Sequence, residues 1–217
     1  DITTTLHSSI ITKGAEDKSH KLQSIISEQL VGCGFNEILN NSLTAAAYYD
    51  ELESFKSENL VRLMNPLSND LSVMRQTLLF GGLESLSHNI NRKAADLKMY
   101  EFGNVYFFNT EAESTKETPL APYREGQRLA MWLTGATCSG NWNKSSEESS
   151  IYDLRAYVEM VLQRAGISDK QLAMTVVPGD DLYAVSMAVS TRSGKELGRV
   201  GIVSKKVLKM FDIRQDV

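Results

Sequence analysis

Apolar residues recur along this chain at two distinct periods, and the switches between them mark its elements. From Asp17 to Cys33, Leu22, Ile25, Ile26, Leu30 and Cys33 fall at i, i+3, i+4, i+8 and i+11. That is one stripe of an amphipathic helix, brought to its end by Gly32 and Gly34. Phe35 to Leu43 then reads as a strand, with Thr44 as the cap of a short alanine-bearing turn. Val61 to Met64 is strand-like and is stopped by Asn65-Pro66, because proline offers no N–H and biases its predecessor toward extended geometry. Asp70 or Ser72 can satisfy free amides of the turn that follows. Leu79, Leu83, Leu86 and Ile90 predict a second helix, weakened at its start by Gly81-Gly82, and Lys98 to Phe108 is a long run of β-formers.

Beyond it the pattern becomes polar. Asn109 to Glu125 predicts an exposed hairpin loop, and Leu129 to Gly135 the returning strand. A second polar loop, Ser139 to Ser149, carries Trp142. Asp153 is the expected cap of a third helix, whose inner face is Leu154, Val158, Val161, Leu162 and Ala165 and whose stop is Gly166. Leu172–Val177 and Tyr183–Ser190 follow as strands. In the second, Tyr183, Val185, Met187 and Val189 alternate with small residues, which predicts a sheet packed on both sides. Ser193-Gly194 turns the chain into Leu197–Val203, and Ser204 caps a last short helix. Hairpins interleaved with helices give an α+β class rather than a doubly wound sheet. Residues 1–16 lack periodicity and read as a linker or entry segment; residues 17–217 read as a single domain, expected to be a fragment of a longer chain, since Asp1 opens it without an initiator methionine.

Composition narrows the chemistry. The formal net charge of −4 supplies no field to draw in a polyanion, so direct nucleic-acid binding is not expected, and no run is apolar enough to span a bilayer. Cys33 and Cys138 have no metal-ligand spacing and read as inert thiols of a reducing compartment. His7, His20 and His88 fit neither a metal site nor a triad, and Asp180-Asp181 after Pro178-Gly179 reads as a solvated turn. Arg75 and Glu101 are charges set inside apolar runs. They are expected to meet as a partly buried pair that fixes the 98–108 strand, against the alternative of two separate surface charges.

Two stretches carry a resemblance. Asn65-Pro66-Leu67-Ser68-Asn69-Asp70-Leu71-Ser72-Val73-Met74-Arg75, followed by Tyr100-Glu101-Phe102-Gly103-Asn104-Val105-Tyr106, resembles the bacterial phenylalanyl-tRNA synthetase beta-subunit family in motif, order and spacing. Gly32-Cys33-Gly34-Phe35-Asn36-Glu37, Tyr152-Asp153-Leu154 and the stretch from Val200 to Ile213 extend it over nearly the whole chain. The resemblance implies a class II synthetase-like antiparallel sheet flanked by helices. It marks Asn65, Pro66, Asp70, Arg75, Glu101 and Gly103 as structural motif positions.

It also implies a role. In the family, alpha and beta subunits pair through catalytic-like modules in an (αβ)2 assembly, and the first helix contributes to the central interface. That transfers to Leu22, Ile25, Ile26 and Leu30, with the alternative that this stripe faces its own sheet. The whole enzyme joins phenylalanine to tRNA in the cytoplasm with ATP and magnesium. The tRNA is met through other modules of the parent chain. This chain departs from a catalytic pattern: Phe107 stands where a motif-2 arginine would grip the α-phosphate, and no motif-3 glycine–arginine run is found before Val217. A ring cannot replace a guanidinium fork. No catalytic, cofactor or metal residue is therefore expected here. Val177-Pro178 and Ser204-Lys205 also replace two His-Pro pairs of the family. Three readings stand: a non-catalytic scaffold module, an independent interaction module derived from the fold, and an active adenylate-forming ligase.

Overall fold

In a computed structural model, residues 8–12, 14–138, 140–143 and 145–217 are described; half of the 1–16 linker, His7 included, lies outside them. The elements are α1 (Ala15–Gly32), β1 (Asn36–Glu37), β2 (Leu43–Thr44), β3 (Val73–Met74), α2 (Leu79–Ile90), β4 (Leu97–Phe108), β5 (Tyr123–Thr134), β6 (Ala136–Cys138), β7 (Glu147–Glu148), α3 (Ile151–Arg164), β8 (Leu172–Val177), β9 (Tyr183–Thr191), β10 (Glu196–Val203) and α4 (Lys205–Met210). The class is α+β. Two three-stranded sheets, β1-β4-β5 and β10-β9-β8, form the frame. All pairs in them are antiparallel except β1, which runs parallel to β4.

β4 is the organising strand, because its period of two splits its side chains between two cores. Leu97, Met99 and Val105 face a large cluster with α2, α4 and Trp132. Tyr100 and Phe102 face a smaller one with Ile26, Leu30, Phe35 and Val161, built by α1 and α3. α3 also lays Leu154, Val158 and Leu162 on Met187, Val189 and Val200 of the second sheet. The small-residue face of β9 holds a buried Ser186, whose hydroxyl accepts from Arg199 Nε.

Several boundaries differ from the sequence expectation, each for a local reason. The strand over 35–43 is interrupted: Ile38 N still donates to the Tyr100 carbonyl, then the chain turns away until Leu43 and Thr44 pair with β3. Thr44 is thus a strand residue, and the turn Ala46–Tyr49 follows Ala45 without a side-chain cap. Val61–Met64 keeps a few ladder rungs to 72–74 but only one bridge, Arg62 to Val73. Ser72 Oγ donates to the Asn69 carbonyl rather than receiving an amide. β5 starts at Tyr123, not Leu129, because β4 continues to Phe108 and backbone pairing carries the polar residues along. Ser150 caps α3 and Asp153 is the third helical residue, the two bonding reciprocally. The glycines at the start of α2 answer packing: a Cβ on Gly82 would lie 2.1 Å from the Trp132 ring.

Candidate functional site

Arg75 and Glu101 are brought together by two elements that sequence places far apart. Arg75 follows β3, whose pairing with β2 aims it across β4, and Glu101 stands on the β4 face that carries Met99 and Val105. Arg75 Nη1 lies 2.7 Å from Glu101 Oε1, and the two side chains are 5% and 0% exposed. Burying two charges is costly unless every polar atom finds a partner, and here the partners are present. Arg75 Nε donates to the Asn104 carbonyl at 2.9 Å. Asn40 Nδ2 donates to Glu101 Oε2 at 2.7 Å, and Ser85 Oγ donates to Asn40 Oδ1 at 2.8 Å. Gly103 makes room, since a Cβ there would lie 2.2 Å from Arg75 Nη2. Asn40 and Ser85 carried no signal in the sequence beyond being polar residues beside apolar ones.

The rest of the motif is a surface loop. Asn65, Pro66 and Asp70 are exposed, as are Met64 and Leu67. Asp70 reaches the rim of a cavity of about 230 Å³ whose wall includes Asn40, Arg75 and Glu84. Tyr48 donates to Glu84 at 2.7 Å, and its hydroxyl is pushed up by burial first and by Glu84 and Asp70 after it.

The α1 stripe divides. Ile26 and Leu30 are buried inside the chain's own α1–α3 core, Ile25 is half-buried, and Leu22 is 42% exposed. The reason is width: a helix packing on a sheet and a second helix buries only part of its apolar arc. Leu22 and Ile25, with half-buried Gln29, occupy i, i+3 and i+7, the outward flank of the stripe. Gln29 Oε1 is buried without a hydrogen-bond partner.

Elsewhere the polar residues are structural. Phe107 packs against the large core from the same β4 face as Glu101. The Asp180-Asp181 pair is engaged rather than free: Asp180 pairs with Arg199, and Asp181 accepts the Glu53 and Ser54 amides at 2.6 and 3.0 Å. Burial raises the Asp181 carboxyl, but the Ser54 hydroxyl and these amides outweigh it and the net shift is downward. Among the described residues no group of His, Cys, Asp and Glu is placed to hold a metal ion, and no helix is long and apolar enough to cross a membrane.

The family model described as "Phenylalanyl tRNA synthetase beta chain CLM domain" matches residues 2–217. The chain belongs to this family. The phenylalanine–tRNA ligase beta subunit of Bacteroides fragilis is 54% identical over all of this chain and 26% of its own length. That of Porphyromonas gingivalis is 52% identical over 93% of this chain and 24% of its own length. The chain thus spans about a quarter of the curated relatives it matches. In fold, this CLM domain is similar to a pyrrolysyl-tRNA synthetase from Desulfitobacterium hafniense, with a TM-score of 0.65 at 14% identity over 91% of this chain and 63% of that one. The sheet and helices are those of a class II synthetase fold.

Proposed function

We propose that this CLM domain is a non-catalytic scaffold of phenylalanine–tRNA ligase, which docks the alpha subunit through α1 within an (αβ)2 assembly. The observation that carries the non-catalytic half is Phe107. A nucleotide-binding class II site needs a fixed cation at that strand position to meet the α-phosphate. Here the half-buried ring packs against the large core, and the nearby buried guanidinium, Arg75, is tied to Glu101. The residues on this face do not fit ATP with magnesium, and the reading assigns both to the alpha subunit. It assigns tRNA contacts to other parts of the parent chain and the assembly to the cytoplasm.

The docking half rests on the division of the α1 stripe. Ile26 and Leu30 hold the helix to its own module, while Leu22 and Ile25 remain on an outward flank. Burying a leucine contributes roughly 1.5–3 kcal/mol, so Leu22→Asp should weaken association with the alpha subunit at least about tenfold. Circular dichroism should show the variant still folded. Co-purification equal to wild type would reject α1 as the docking helix.

A further inference from the structure

α1 ends on a glycine that its own fold does not use. Gly34 takes the left-handed conformation that stops the helix, with a φ of +85°. Gly32 does not. It is the last helical residue, is exposed and has no positive φ, and a Cβ built on it meets no atom within 4 Å. Alanine would fit there and is the better helix former, so neither packing nor backbone geometry within this chain calls for glycine.

Three residues earlier stands a polar group that the fold does not satisfy. Among the described residues, Gln29 Oε1 is the one buried side-chain oxygen or nitrogen without a hydrogen-bond partner. An acceptor shut away from water with no donor is costly. The side chain as a whole is half-buried, one turn before Cys33, whose Sγ lies 3.9 Å from Met160 Sδ of α3. Leu22, Ile25, Gln29 and Gly32 follow one another at intervals of three, four and three residues. That is the 3.5-residue repeat along which one helix packs against another. Leu22 and Ile25 supply its apolar positions, Gln29 a polar one and Gly32 an empty one.

We propose that one helix of the alpha subunit packs along this seam, and that Gln29 and Gly32 fix its register. The helix brings apolar side chains to Leu22 and Ile25, a hydrogen-bonding side chain to the Gln29 amide, and a bulky side chain over Gly32. A polar residue in an apolar helix seam costs stability and sets register, because any other register leaves the amide and the group meant for it unpaired. The carboxamide both donates and accepts, and its last torsion is soft, so it turns to meet the group opposite. The bare glycine lets a facing side chain approach the backbone. The inference rests on the docking reading above and adds to it the two positions that select the partner's register. Both act as positioning residues.

The test uses the full-length beta subunit that carries this domain, with the alpha subunit of the same organism. Gln29→Leu keeps the size of the side chain and removes the amide. In the free beta subunit the α1 amides of this variant should exchange with deuterium more slowly, because the unpaired oxygen is gone. Its affinity for the alpha subunit should fall on the order of tenfold, because the group facing Gln29 loses its partner. A residue serving only the internal fold would move both readings the same way. Gly32→Leu should also weaken association about tenfold, through overpacking of the seam. Equal or tighter binding by Gln29→Leu, or faster α1 exchange, would overturn the proposal and leave the docking reading standing. So would wild-type binding by Gly32→Leu. If Leu22→Asp also bound like the wild type, the docking reading would fall and the proposal with it.

Discussion

Arg75 and Glu101 are stable in the core only as a pair within a network, and this makes their substitutions asymmetric. Arg75→Met leaves a buried carboxylate with Asn40 as its remaining side-chain partner, and should cost about 3–5 kcal/mol of unfolding free energy by denaturant titration. Removing both charges with Arg75→Met and Glu101→Met should cost less than the single change, because no orphaned charge remains. A single change that leaves stability untouched would mean the pair contributes nothing. Asp153 gives a pH-dependent counterpart. The Ser150 hydroxyl and amide hold its carboxyl below the usual carboxylate range. A depressed folded value contributes stability above the unfolded carboxylate pKa and loses it as pH falls through the folded value. Asp153→Asn should therefore destabilise at neutral pH and flatten the acid limb of the stability curve below about pH 4. The pairing of Arg75 with Glu101 was legible because charges inside apolar runs need partners. Asn40 and Ser85 were not, since ordinary polar residues are assigned to a network only once the fold brings them to it.

Among the elements, α2 shows how packing overrides propensity. Two glycines in its first turn weaken a helix by roughly 1 kcal/mol each relative to alanine, yet Gly82 must stay bare where Trp132 crosses. Gly82→Ala should thus destabilise by about 1–3 kcal/mol through overpacking, opposite in sign to the propensity gain; a raised melting temperature would refute the packing argument. The long strands, the three amphipathic helices and the Ser204 cap were readable from periodicity because each buries a regular face. Boundaries failed where backbone pairing outran side-chain pattern. Tyr123–Arg128 of β5 is polar, exposed for the most part and still fully registered against β4. α1 failed differently: its stripe was correct as a stripe, but period alone does not divide Ile26 and Leu30 from Leu22.

At the scale of the whole molecule, three clusters are joined by β4 and α3, so the α1 flank is held rigidly against the module that carries it. Such a surface suits docking, because little ordering is left to offset on association. The family and the class II fold were legible from two motifs in the right order. If the scaffold account holds, Ile26→Asp should unfold the module while Leu22→Asp leaves it folded and unable to dock, a contrast that thermal melts and co-purification read together.

The central claim is tested most directly by mixing this chain with the alpha subunit of phenylalanine–tRNA ligase from the same organism and measuring mass by size-exclusion light scattering. The account predicts a defined stoichiometric complex that Leu22→Asp dissociates. Two separate peaks, from a chain shown to be folded, would contradict it.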